Sequence, residues 1–135
     1  MLQPLEGAKR AKEGLLPRVL RAPLDEVRRE LDEYFDGRRR SFDLAVDLRV
    51  APFHEAVLHE LARVPYGNTD TYGHLAALVG RPRAARAVGT VMNRNPIPIV
   101  LPCHRIVGAN GSLTGYGGGL PAKRLLLELE GATLF

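Results

Sequence analysis

A chain of 135 residues can bury one working core but has little room for two full domains. With 45% hydrophobic and 25% charged residues, and no apolar run near the roughly 18 residues of a membrane span, its composition is that of a soluble globular protein. A single cysteine, Cys103, excludes an internal disulfide and any multi-thiolate zinc or iron–sulfur site.

The N-terminal stretch MLQPLEGAKRAKEGLLPRVL mixes Glu with Lys and Arg and has no continuous apolar segment, so a secretory leader is not expected and the cytoplasm is the default. Residues 23–36 place Leu24, Val27, Leu31, Tyr34 and Phe35 at helical spacing, with Asp25 and Glu26 in the first turn. Gly37 ends that helix, and Arg38-Arg39-Arg40 reads as a solvated turn. Residues 42–49 alternate apolar and polar, as a half-buried strand does. Helical period returns over 53–64 through Phe53, Val57, Leu61 and Val64, before the turn Pro65-Tyr66-Gly67-Asn68.

Thr71 is placed to cap a short helix over YGHLAALV, and Gly80 stands where a left-handed residue closes it. Pro82 is expected to start a second helix, giving the form of a helix-turn-helix. On that helix Ala84, Val88 and Val91 share one face, and Arg83, Arg86, Thr90 and Arg94 another. With Ala87 nearby, the second face could approach DNA closely; a surface helix docked by its apolar side has the same spacing. After Asn95-Pro96-Ile97-Pro98 the chain must run extended, and Ile99-Val100-Leu101 reads as a short buried strand delivering Cys103 at its end. Residues 108–119 hold six glycines and form a loop, and Pro121 opens a last helix carrying Leu125, Leu126 and Leu129.

The net charge of +4 is unevenly spread. From residue 71 to 127 there is no Asp or Glu, while Arg81, Arg83, Arg86, Arg94, Arg105, Lys123 and Arg124 fall inside. Such a segment suits an anionic partner, nucleic acid first, although a basic solvated face without a partner has the same composition. Cys103 is either an inert packing residue or a nucleophile. As a nucleophile it must ionise, and His104 is its neighbour in sequence, although strand neighbours point to opposite faces and a water would have to bridge them.

LPCHRIV, followed by GSLTGYGGGLPAKRLLLELEG, closely resembles the C-terminal half of the O6-alkylguanine-DNA alkyltransferases, from about Ala51 to Ala132 and, less closely, back to about residue 23. The resemblance implies an α+β protein. A mostly helical DNA-binding domain, residues 51–135, would carry a winged-helix-like helix-turn-helix. Residues 1–50 would be a truncated N-terminal region, a helix and strand left from an α/β domain.

The implied function is direct repair: minor-groove binding of duplex DNA containing O6-alkylguanine, flipping of the damaged base, and irreversible transfer of its alkyl group to Cys103, one lesion per molecule. His104 would deprotonate the thiol through a water, Glu130 would orient His104, Asn95 would brace the turn beside the site, and Tyr72 would assist the leaving base. Arg86 would enter the base stack, with Ala84, Ala85, Ala87, Gly89 and Arg94 along the groove, while Tyr116, Gly117, Pro98 and Val107 would wall the alkyl pocket. Extrusion of the base costs a few kcal/mol, and small residues let a helix sit in a narrow groove. No metal or organic cofactor is required, and the protein is expected to be a monomer without a membrane partner.

The chain departs from the family in its short N-terminal region, in Leu58 where many relatives have tryptophan, in Gly117 where some have serine, and in lacking the cysteines of a zinc site. One rival reading is an alkyltransferase-like protein that recognises the lesion without transfer, a class usually lacking the cysteine. Another is a Cys–His hydrolase acting on small molecules, which leaves the basic segment and Arg86 unexplained.

Overall fold

The computed structural model describes residues 22–132; the N-terminal stretch considered for a leader lies outside them. The chain divides into two compact units, Met1–Val50 and Ala51–Phe135. The architecture is α+β, five α-helices and a two-stranded parallel sheet among the described residues.

In the first unit, helix α1 (Leu24–Phe35) buries Val27, Leu31 and Tyr34 on one face, with the ring of Phe42 5.6 Å from that of Tyr34. Glu30 lies on the same face and is 1% exposed. A buried carboxylate needs partners. The backbone N–H of Asp43 donates to it at 2.9 Å and the guanidinium of Arg39 lies at 3.3 Å. Arg39 also donates to Glu33 and to the carbonyl of Ser41. In the run Arg38–Arg40 the outer two residues are exposed, as a solvated turn predicts, Arg38 pairing with Asp36, whereas Arg39 is half-buried and ties α1 to the segment after it.

The expected strand over 42–49 is not formed. Phe42, Leu44 and Val46 are more buried than Asp43 and Ala45, as the alternation predicts, but only Val46 carries a bridge and no strand of the described residues runs beside it. Alternation specifies a half-buried extended segment; a strand also needs a neighbour to bond.

In the second unit, α2 (Pro52–Ala62) opens on a proline, whose missing N–H costs nothing in a first turn, and buries Val57, Leu58 and Leu61. Leu58 is a core residue. Strand β1 (Asp70–Thr71) pairs in parallel with β2 (Ile106–Val107), Asp70 opposite Ile106 and Thr71 opposite Val107. Helix α3 (Tyr72–Leu78) starts directly from β1, capped by the Thr71 hydroxyl, which accepts from the N–H of His74 at 3.1 Å. Gly80, at φ 78°, ends α3, and the N–H of Arg81 reaches back to the carbonyl of Ala76.

The next helix, α4, begins later than Pro82 suggests, spanning Ala85–Asn93. Pro82 lies inside a turn closed by the N–H of Ala84 on the carbonyl of Arg81, and a fixed φ serves a turn's second position as well as a helix's first. Helix α4 buries Val88, Val91 and Met92. Helix α5 (Leu120–Leu129) starts after Gly119, at φ 94° and ψ 151°, which only glycine adopts readily. It turns Lys123, Leu126 and Leu127 inward, with Glu130 just past its end, and leaves Leu125 65% exposed. Among the described residues no helix is long and apolar enough to cross a membrane.

The cap at Thr71 starts α3 where β1 stops. Replacing Thr71 with Ala is expected to destabilise the protein by about 1 kcal/mol, with Thr71→Ser near wild type; thermal unfolding followed by circular dichroism measures both.

Candidate active site

Residues 99–101 form no strand. Leu101 donates to the carbonyl of Ile97, closing a tight turn, and Ile99 inside it sits at φ 77°. Two prolines keep this segment from a ladder, and the side chain of Asn95 takes the ladder's place. Its Nδ2 donates to the carbonyl of Leu101 at 2.7 Å and its Oδ1 accepts from the N–H of Ile97 at 2.9 Å. A β-branched residue in the left-handed region costs about 1–3 kcal/mol and persists only where its surroundings impose it. Here the imposing group is Asn95, and the turn it holds delivers Cys103.

Cys103 therefore lies not at a strand end but on a single 3-10 turn, Cys103–Arg105. Three residues per turn point consecutive side chains about 120° apart, so Cys103, His104 and Arg105 leave the turn in three different directions. All three are buried: Cys103 is 5% exposed, His104 0% and Arg105 6%. His104 and Arg105 converge on Glu130. The imidazole Nε2 lies 2.7 Å from Oε2, and Arg105 donates through Nε to Oε1 at 2.8 Å and through Nη2 to Oε2 at 2.9 Å. The remaining guanidinium nitrogen donates to the carbonyl of Val64 at 2.7 Å. Nδ1 of His104 is buried without a bond to any described protein group.

Burial pushes the Cys103 thiol above its ordinary value, while a hydrogen bond from Asn95 and the charge of Lys123 pull it back. Burial holds His104 below its ordinary value, against the upward pull of Glu130. Tyr116 is pushed up to about 12, first by burial and then by proximity to Cys103.

Tyr72, first residue of α3, points its hydroxyl at the loop, donating to the carbonyl of Thr114 at 3.2 Å and accepting from the Thr114 hydroxyl at 3.3 Å. Its ring lies against α4 at Gly89, where an added Cβ would meet ring carbons at 4.0 Å. The packing of Tyr116 against Gly118 is closer, 3.0 Å to a Cβ placed there. Val107 is buried in β2, Pro98 is half-buried in the strained turn, and Gly117 is exposed at the loop's tip.

The other predicted residues lie elsewhere. Arg86, Ala87 and Arg94 are exposed on α4 or at its end, and Ala84, Ala85 and Gly89 are half-buried along it. Two residues of the site escape the sequence reading. Arg105 stands there only as one cation of the basic segment, although it is close to Cys103 in the chain. Lys123 is 0% exposed, its ammonium donating to the carbonyls of Ile106, Thr114 and Gly115. Its spacing from Leu126, Leu127 and Glu130 puts it on the buried face of α5, and that spacing is the signal by which it could have been found. Among the described residues no group of three His, Cys, Asp or Glu could hold a metal.

A lone buried thiol next in the chain to a histidine–carboxylate pair defines a single-cysteine site on a helix-rich α+β domain. Residues 52–132 match the family described as 6-O-methylguanine DNA methyltransferase, DNA binding domain. The chain is 50% identical over 107 residues to a methylated-DNA–protein-cysteine methyltransferase of Methanosarcina acetivorans, covering 79% of this chain and 69% of that protein. It is 52% identical over 101 residues to one from Mycobacterium tuberculosis, covering 75% of this chain and 61% of that protein. The crystal structure of Mycobacterium tuberculosis OGT in complex with DNA superposes with a TM-score of 0.78 at 48% identity, over 79% of this chain and 66% of that one. The chain belongs to the methylated-DNA–protein-cysteine methyltransferase family and spans between three fifths and seven tenths of the length of these two relatives.

Because folding lowers the affinity of His104 for a proton, the unfolded chain binds protons more readily below about pH 6.5, and stability is lost as pH falls through that value. The urea midpoint is expected to drop between about pH 7 and about pH 5, and less steeply in His104→Gln. Equal slopes in the two proteins would show that His104 does not titrate as described.

Proposed function

We propose that the protein repairs DNA directly, moving a methyl or larger alkyl group from O6-alkylguanine in duplex DNA onto Cys103, irreversibly and once per molecule. The observation that carries this reading is the geometry at the only cysteine: a thiol next to an imidazole whose Nε2 is held 2.7 Å from a buried carboxylate.

In this reading the thiol proton passes to Nδ1 of His104 through a water. Glu130 fixes the ring and supports the imidazolium that forms. The thiolate attacks the alkyl carbon, a carbon–sulfur bond forms, the carbon–oxygen bond breaks, and its electron pair stays with guanine. Tyr72 supplies the proton the guanine then needs, and the proton taken up by His104 is released to solvent, from which the tyrosinate is reprotonated, so that the net step moves the thiol proton to guanine. The reaction calls for no cofactor, and the thioether cannot be reset by thiol exchange, so one molecule acts once.

Helices α3 and α4 with the turn at Gly80 would serve as a helix-turn-helix entering the minor groove, with Arg86 replacing the flipped base in the stack. Exposed Arg86 and Arg94 with half-buried Ala84, Ala85 and Gly89 suit a close approach of α4 to a backbone. Tyr116, Pro98, Val107 and Gly117 would bound the alkyl pocket, and a single chain would suffice. The related OGT of Mycobacterium tuberculosis has been crystallised in complex with DNA, which supports DNA as the partner of this chain.

Incubation with duplex DNA containing O6-methylguanine is expected to add one methyl group to the intact protein, mapped by mass spectrometry to Cys103 and absent with undamaged DNA. Tight lesion binding with no mass gain would favour recognition without transfer, and repeated turnover on small esters a hydrolase. Cys103→Ala should abolish transfer and keep binding; if it still cleared the lesion, the nucleophile would be another group. Arg86→Ala should slow transfer to DNA while leaving the thiol reactive towards iodoacetamide, and binding should weaken as salt rises.

A further inference from the structure

Tyr72 and Thr114 are distant in the chain and exchange two hydrogen bonds. The phenol donates to the carbonyl of Thr114 at 3.2 Å and accepts from the Thr114 hydroxyl at 3.3 Å. That carbonyl has a second donor, the buried ammonium of Lys123 at 2.7 Å. A carbonyl oxygen has two lone pairs, so it stays satisfied when one of two donors leaves. The proton of Tyr72 thus rests on an acceptor that does not depend on it, while the phenol oxygen has a donor of its own.

The meeting is held from both sides. Lys123, on α5, also donates to the carbonyls of Ile106 and Gly115, which ties the glycine-rich loop to β2. Strand β2 pairs with β1, and Tyr72 follows directly from β1. Both partners are therefore placed against the same two-residue ladder. The Thr114 side chain itself is exposed and fills no part of the core. Packing does not call for a hydroxyl at this position.

We infer that Thr114 is a positioning residue for Tyr72: its hydroxyl holds the phenol oxygen and supports the negative charge left there when Tyr72 gives its proton to the leaving guanine. The inference deepens the alkyl-transfer reading and rests on it. In that step the O–H of Tyr72 turns from the Thr114 carbonyl, which keeps Lys123. The O–H bond breaks, the proton goes to guanine, and the electron pair stays on the phenol oxygen. The Thr114 hydroxyl goes on donating to that oxygen, and a hydrogen bond to a charged acceptor is shorter and roughly twice as strong as one between neutral groups. Solvent later returns a proton to the tyrosinate. At 3.2 and 3.3 Å the two bonds are long for hydroxyls, and they can tighten as the charge develops.

The test is a double-mutant cycle on the full chain. Thr114→Val removes the hydroxyl and keeps the backbone carbonyl with both its donors, and Thr114→Ser keeps the hydroxyl. Single-turnover kinetics with duplex DNA containing O6-methylguanine separates lesion binding from the transfer step. Thr114→Val should slow transfer roughly tenfold, with binding unchanged, and Thr114→Ser should restore it. In a Tyr72→Phe background Thr114→Val should add nothing, because the group it acts through is gone. No slowing in the Tyr72 protein, or equal slowing in Tyr72→Phe, overturns the inference.

A second measurement omits DNA. With tyrosine labelled at Cζ, carbon NMR reads the hydrogen bonding of the phenol oxygen, and the Tyr72 signal should move in Thr114→Val and return in Thr114→Ser. An unmoved signal overturns the inference whatever the transfer rates. Failure of wild type to take up methyl from DNA, with this signal as expected, would overturn the repair reading and support the hold of Thr114 on the phenol oxygen.

Discussion

Glu130 is 5% exposed and carries a charge that the interior must balance. It is satisfied by two consecutive residues of one 3-10 turn, a geometry that turn supplies and a strand would not. Removing one partner from such a buried cluster costs about 3–5 kcal/mol, because the other charge is then stranded. The cluster therefore fixes several things together: where α5 ends, how the chain after Leu101 must coil, and which way Cys103 faces once its neighbours are engaged. Arg105 extends the constraint to the end of α2 through the carbonyl of Val64, and the turn at Gly67 closes over the carbonyl of Glu130, 3.2 Å from an added Cβ. A site with one nucleophile needs this rigidity.

Opposite that anchor stands a strained one. The turn at Ile97–Leu101 keeps a β-branched residue at φ 77° because the Asn95 side chain bonds both ends of it. Asn95 also draws the thiol down against the effect of burial, so the group that imposes the strain is one that favours ionisation. The two-residue parallel pairing of β1 with β2 then sets Thr71 beside Val107 and starts α3 next to the strand that follows the thiol. Short as it is, the pairing decides the position of Tyr72.

Helices are legible in the sequence where one face repeats: Val27, Leu31 and Tyr34 in α1, Val57 and Leu61 in α2, Val88 and Val91 in α4. The alternating segment 42–49 is legible as half-buried, but not as lacking a partner strand among the described residues, because pairing depends on a neighbour that local pattern does not contain. Pro82 and the stretch 99–101 mislead for one reason. A proline or a short apolar run is compatible with several backbones, and the choice among them is made by hydrogen bonds from Asn95 and by the Arg81–Ala84 turn. The catalytic candidates enter through resemblance rather than pattern. Lys123 and Arg105 escape because charged residues are seldom buried, and a charge count carries no information on depth.

Burial divides the cations of the acid-free segment into two groups. Arg81, Arg83, Arg86, Arg94 and Arg124 are exposed, while Arg105 and Lys123 are buried. The first group can project a field towards an anionic partner; the second works at short range, where the local dielectric is low and each charge acts on a named neighbour. One compositional bias thus serves two scales. Had the segment held carboxylates, exposed ones would have weakened attraction to a polyanion and buried ones would have competed with Glu130 for Arg105 or opposed a thiolate at Cys103. The acid that does enter the site comes from Glu130, beyond the segment's end, on the side of His104 where negative charge supports proton uptake.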